Sequence, residues 1–135
     1  TLAPTLHAGV RRFEQQEPHV AGRVGLSVAA QEWTPALLPR VHALAAQARE
    51  LLAVGGWRVV EPVDEPTGIT TLVPPDGVDP AAVRAGLLQE GVVVSAVPAS
   101  RAAELTGPVL RVSTHAWVRP EDLGHLAELL SRVRG

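Results

Sequence analysis

Between Trp57 and Val133 the sequence alternates short β-rich runs with helical stretches, bounded by Gly or Pro, and that order leaves few ways to fold. Trp57 to Val60 reads as a short strand, and Pro62 to Pro66 as a turn-rich connector. Gly68 to Val73, with the run Ile69-Thr70-Thr71-Leu72-Val73, reads as a second strand that Pro74-Pro75-Asp76-Gly77 ends. Asp79 followed by Pro80 starts a helix; its stripe is Val83, Leu87 and Leu88, and Gly91 stops it. Val92 to Ser95 reads as a third strand and Val109 to Ser113 as a fourth. The last helix, with Pro120 at its front, carries Leu123, Leu126, Ala127, Leu130 and Val133 on one face. The order β-β-α-β-β-α predicts an α+β layer, a small and mostly antiparallel sheet with helices on one face. Its other face needs a cover, either solvent or another domain.

Two helical stretches precede this layer. His19 to Trp33 has helical spacing with small residues at Ala21, Gly22, Gly25 and Ala29. Each glycine costs about 1 kcal/mol relative to Ala, so the pair predicts close approach to another backbone. Thr34-Pro35 reads as a cap and a first-turn proline. Leu37, Val41, Leu44, Ala45, Ala48, Leu51 and Leu52 then keep helical spacing up to Gly55-Gly56, with a kink or restart expected at Pro39. Residues 1–18 are polar and irregular. The Pro98–Pro108 stretch is a loop long enough to suggest a role beyond connection.

Composition narrows the chemistry. The 135 residues suffice for one domain, or one domain and a piece of another. All twelve basic residues are Arg, and Lys, Cys, Met and Tyr are absent. No lysine amine, disulfide or thiolate chemistry can come from these residues. With Thr1 at the front and no Met, the chain reads as processed, trimmed or cut from something longer. At 3% aromatic, the core must be Leu, Val and Ala. A net charge of −2 with dispersed Arg argues against a nucleic-acid module. No apolar run approaches a membrane span, so the expectation is a soluble cytoplasmic protein without membrane or nucleic-acid partners.

Arg111 is the most pointed position. Alternation places Leu110 and Val112 on one face of its strand, with Val109, Arg111 and Ser113 on the other. If helices cover Leu110, Arg111 projects toward a ligand or partner domain, and a strand-held guanidinium suits two-point carboxylate recognition. The alternative is an Arg paired with a neighbouring acid on a solvated face. Ser113 and His115 could suggest nucleophile and base, but no third orienting group is identifiable, and a polar strand end explains them as well. The histidines show no metal-ligand spacing, so no metal site is expected. Arg101, in the long loop, could close over a site.

Two sets of motifs go further. Phe13-Glu14, Pro18 and the run His19 to Ala30 resemble a segment of class V aminotransferases and cysteine desulfurases. Gly68-Ile69-Thr70-Thr71-Leu72, Asp79-Pro80, Gly91-Val92-Val93-Val94 and Leu110-Arg111-Val112-Ser113-Thr114-His115 resemble that family's C-terminal domain, in the same order. The resemblance implies the C-terminal portion of a fold-type-I pyridoxal 5'-phosphate enzyme, usually a homodimer acting on an amino-acid-derived substrate. Residues 1–33 would be the tail of the large cofactor-binding domain and its connecting helix, and 34–135 the small domain. Arg111 falls on the arginine that grips the substrate α-carboxylate. Arg101 is a second, weaker candidate for substrate, and His19 a candidate toward the cofactor phosphate. Gln16-Glu17 stands where the family has Gly-Thr, and an anionic Glu17 would repel a phosphate.

With no Cys between Ser95 and Gly107, the desulfurase chemistry is excluded. Pro62-Val63-Asp64-Glu65-Pro66, the Gly68 strand and the Arg101 loop look closest to the actinobacterial C–S lyase of ergothioneine biosynthesis. That enzyme class cleaves a cysteine-sulfoxide conjugate of hercynine on the way to ergothioneine, with release of pyruvate and ammonia. The catalytic lysine that anchors the cofactor would have to lie outside this chain, leaving the fragment alone inactive. The readings kept beside it are another class V enzyme, a free-standing small-ligand regulatory module, and a dimerisation domain.

Overall fold

The computed structural model describes Gly9 and residues 19–133, in two compact units that divide between Thr34 and Pro35. Phe13, Glu14 and Pro18, which carry part of the resemblance, and Gln16 and Glu17, which depart from it, lie outside the described residues. The first unit contains α1 (Val20–Glu32), none of whose residues is buried. His19 is its N-cap, and the imidazole Nδ1 accepts the Gly22 N–H at 2.9 Å. The expected close backbone approach is not found. A Cβ added at Gly25 would meet nothing within 4 Å, and one at Gly22 only the ring of His19.

The second unit contains α2 (Leu37–Leu52), β1 (Arg58–Val59), β2 (Ile69–Val73), α3 (Pro80–Gln89), β3 (Ser95–Val97), β4 (Val109–Ser113) and α4 (Pro120–Ser131). Its four strands form one sheet in the order β1-β2-β4-β3, with every pair antiparallel. The helices pack on one face. Leu44, Ala48 and Leu52 of α2, Leu87 of α3, and Leu123, Leu126 and Leu130 of α4 meet Leu72, Leu110 and Val112 of the sheet. Trp57 joins them, so the aliphatic core does hold one aromatic.

Helix ends follow local chemistry. The Asp79 carboxylate accepts the Ala81 N–H at 2.9 Å with Pro80 in the first turn of α3. At the other end Gly91 adopts φ +77°, and its N–H and that of Val92 bond back to Leu88 and Leu87 carbonyls. That exit corrects the third strand. Val92 is occupied in closing the helix, so pairing with β4 begins only at Ser95, opposite Arg111. Pro39 produces no kink. Ala36 is the N-cap of α2, so Pro39 is its third residue, where the missing N–H would have had no helical acceptor.

The connector between β1 and β2 is held from inside. Arg49, on the buried stripe of α2 and 2% exposed, donates from Nη1 to the carbonyls of Val63 (3.0 Å) and Glu65 (2.9 Å). Its Nη2 donates to those of Thr67 (2.8 Å) and Ile69 (2.9 Å). Next to it, Thr114 donates from both N and Oγ1 to the Gly68 carbonyl, at 2.7 and 3.0 Å. A Cβ at Gly68 would lie 2.8 Å from Thr114 O and from Val41 Cγ1, so only glycine fits there.

Two stability effects follow. Arg49→Met strands four carbonyl acceptors and is expected to cost about 3 kcal/mol or more by urea denaturation. Arg49→Lys should recover only part of that, because one ammonium cannot span the same acceptors. Thr70 is fully buried and its hydroxyl has no partner among the described residues. Thr70→Val is therefore expected to stabilise by about 1 kcal/mol in the same assay; a loss of that size would show that the hydroxyl is in fact satisfied.

Candidate functional site

Arg111 sits at the middle of β4, one of the two inner strands. Leu110 and Val112 on either side of it are buried against the helices, which turns Arg111 and Ser113 to the uncovered face, where both are exposed. Register places Thr71 of β2 opposite Arg111 on one side and Ser95 of β3 opposite it on the other. Cross-strand partners share a face, so the guanidinium stem rises between two short hydroxyl residues. Neither has the bulk to cover it.

The alternative of a neighbouring acid is not met. Among the described residues, the ion pairs are Arg119 with Glu121 and Asp122, and Arg132 with Glu128. Arg111 is in none of them. It lines a depression of about 350 Å³ together with Arg101, Ala96, Val97 and Pro98. Arg101 ends the single 3-10 turn Ala99–Arg101, whose closing bond runs from Arg101 N–H to the Pro98 carbonyl at 3.0 Å. The fold thus brings together two of the residues singled out from sequence, Arg101 and Arg111.

His19 stands in the other unit, at the front of α1. With Nδ1 accepting from Gly22, the neutral ring carries its proton on Nε2, which remains a donor. Ser113 and His115 do not form a catalytic couple. The His115 ring stacks on Trp117 instead, with centroids 4.1 Å apart and planes within 1°. Among the described residues no group of three or more His, Cys, Asp or Glu could hold a metal ion.

A larger cavity of about 460 Å³ lies between residues 90–94, the end of β4 and the start of α4. Its walls are mainly Val and Leu, and neither Arg111 nor Arg101 reaches it. Asp122, at its rim, is the third residue of α4 and accepts from Arg119 three times: backbone N (3.2 Å), Nε (3.1 Å) and Nη2 (2.7 Å). The side-chain bond to Arg119, with smaller help from the backbone bond and the nearby charges, holds the Asp122 carboxyl below its ordinary value.

No protein-family model matches the chain. Among solved structures, its fold is similar to that of serine palmitoyltransferase from Sphingomonas wittichii, with a TM-score of 0.55 and 19% identity. That match covers 69% of this chain and 23% of the other. The small α+β architecture is thus similar to part of a fold-type-I enzyme. In sequence, the chain is 50% identical over 121 residues to the "Probable hercynylcysteine sulfoxide lyase" of Mycobacterium tuberculosis (strain CDC 1551 / Oshkosh). The alignment takes in 84% of this chain and 31% of that protein, so the chain spans about a third of the length of the curated relative it matches. The resemblance read from the motifs is thereby shown, to fold-type-I enzymes and within them to the sulfoxide lyase.

Asp122 gives the start of α4 a pH dependence whose sign is set. Its carboxyl titrates lower in the folded chain than in the unfolded one. The stabilisation is therefore present above the unfolded value of about 3.9 and is lost as pH falls through the folded value. Asp122→Asn is expected to lower the Tm near neutral pH, with the gap from the parent closing as pH falls below the unfolded value and through the folded one. A gap that stays constant in acid would show that the carboxylate charge is not what matters.

Proposed function

We propose that this chain is the substrate-carboxylate-binding, C-terminal portion of a pyridoxal-phosphate-dependent C–S lyase. The reaction is β-elimination on a cysteine-sulfoxide conjugate, in the formation of ergothioneine. Residues up to about position 33 belong to the tail of the large domain and the rest form the small domain, in a cytoplasmic homodimer. One observation carries the reading. Arg111, the residue on which the resemblance places α-carboxylate recognition, stands on the uncovered face of an inner strand, and among the described residues no acid is paired to it.

Taken one by one, the groups present have suitable chemistry. In the first unit, His19 Nε2 faces no acceptor in its own cap and suits a phosphate oxygen; in the second, the cation at Arg111 suits a carboxylate. No lysine occurs in the 135 residues, so the covalent anchor and the proton-moving amine come from outside them. When bound, the cofactor supplies an electron sink for the α-carbon.

Arg111 contributes orientation. A two-point grip on the α-carboxylate fixes rotation about the bond joining it to Cα, and with it the direction of the Cα–H bond that must break before the β-sulfur leaves. Positioning of this kind supplies several kcal/mol to a chemical step. Because β2 and β3 flank the strand, the grip does not depend on a mobile loop.

The test is Arg111→Ala in the full-length protein, with pyruvate release from a cysteine-sulfoxide substrate as readout. The expected fall in kcat/KM is at least about tenfold, or 1.4 kcal/mol. An unchanged kcat/KM removes the assigned role.

A further inference from the structure

We propose that residues 92–94 form a strap with two positions. In this structure the strap stands away from β4. In the other position it closes onto Ser113 as one further antiparallel pair, so that β3 begins at Val93 instead of Ser95 and the cavity behind the strap is filled. This goes beyond the reading of Arg111 above and does not rest on it.

Register fixes the partners. Ser95 lies opposite Arg111, so Val93 is the residue that a longer β3 brings opposite Ser113. Alternate residues of an antiparallel strand bond to opposite neighbours. Thr114 bonds to Gly68 on the β2 side, which directs the N–H and C=O of Ser113 to the β3 side. Among the described residues neither group has a backbone partner there. A donor and an acceptor thus stand ready on β4, two residues from Arg111.

The segment facing them is suited to a strand. Val92-Val93-Val94 is β-branched three times running, which favours extended pairing. Val94 is already in the core at 8% exposure, whereas Val93, at 80%, is the most exposed large apolar side chain among the described residues. The space between strap and strand is the cavity of about 460 Å³, with residues 90–94 on one wall and Val112, Ser113 and Thr114 on the other. Both ends of the strap are anchored. In front, Gly91 turns at φ +77° and the Val92 N–H bonds to the Leu87 carbonyl; behind, Ser95 pairs with Arg111. No backbone bond among the described residues involves Val93 or Val94, so closure breaks none and makes two. The added pair adjoins the one formed by Ser95 and Arg111, and closure therefore stiffens β4 beside the arginine.

The test is oxidative cross-linking of the full-length protein carrying Val93→Cys with Ser113→Cys. No cysteine occurs in the 135 residues, so the bridge is identified by the mass of the joined peptides. In the closed position the two Cα atoms are about 5.5 Å apart, within disulfide range, while residues 93 and 111 lie diagonally at about 7 to 8 Å, beyond it. Under limiting oxidant the in-register pair is expected to close at least about tenfold faster than Val93→Cys with Arg111→Cys. Equal rates, or no bridge in a protein that melts like the parent, overturn the proposal. If the double variant fails to fold, Val93→Pro replaces it, since proline has no N–H to give the Ser113 carbonyl. Hydrogen exchange at the Ser113 amide should then be at least about twofold faster than in the parent. An unchanged rate overturns the proposal by that route. Neither readout uses the enzymatic activity, so failure here leaves the assigned role of Arg111 to its own test.

Discussion

The buried guanidinium of Arg49 ties the helical layer to the sheet, and the position of everything on the open face depends on it. It is a cation in the core with neutral acceptors only, the carbonyls at residues 63, 65, 67 and 69. Those carbonyls belong to a connector with little regular structure of its own. Four charge-assisted hydrogen bonds from one side chain thus hold the segment from the helical side. The last of the four belongs to Ile69, the first residue of β2. Where the connector ends is therefore where β2 begins, and β2 sets the register against β4.

Register then determines chemistry. A slip of one residue would turn Arg111 into the Leu-rich core and Leu110 out to solvent. Two contacts at that same end of the β2–β4 pair prevent it. Thr114 closes on Gly68 with both of its donors, at a separation that no side chain at position 68 would allow. Arg40 also donates from Nε to the Ala116 carbonyl at 2.6 Å, fastening the chain beyond β4 to the first turns of α2. Arg49 and Gly68 thus act on the site at a distance, through the alignment of two strands, and neither touches the depression.

Much of this was legible in the sequence because it follows from local rules. Alternation in Val109 to Ser113 identified the face of Arg111, and Asp79-Pro80 with Gly91 bracketed α3 to within a residue. What escaped depends on partners far along the chain. Arg49 falls on the apolar stripe between Ala45 and Leu52, a signal that it must be buried, but nothing local tells that its acceptors lie 14 to 20 residues away. The run Val92 to Ser95 has high strand propensity throughout, yet the helix exit consumes its first residue. Gly22 looked like a contact point and instead leaves room for the His19 ring that caps its own helix. Pairing of Arg101 with Arg111 depends on how the 98–108 loop returns to the sheet, which spacing does not encode.

An arginine-only basic complement acquires a meaning from this arrangement. Lysine would be a poor choice at any of the three positions that matter most. At position 49 a point charge cannot reach carbonyls spread over seven residues; at 111 and 101 it lacks the planar fork that matches a carboxylate. Arg49 recognises oxygen atoms of the chain's own backbone in the core, and under the proposed function Arg111 recognises those of a ligand on the open face. The difference is only which oxygens the fold brings to them. In the core, the connector wraps until every Nη is occupied, and the reward is register. On the open face Thr71 and Ser95 leave the Arg111 guanidinium uncovered, so its valence for oxygen is still open when a ligand arrives. The same side-chain chemistry, with both Nη atoms engaged inside and the guanidinium uncovered outside, fastens the sheet in the core and leaves a cation open on its other face.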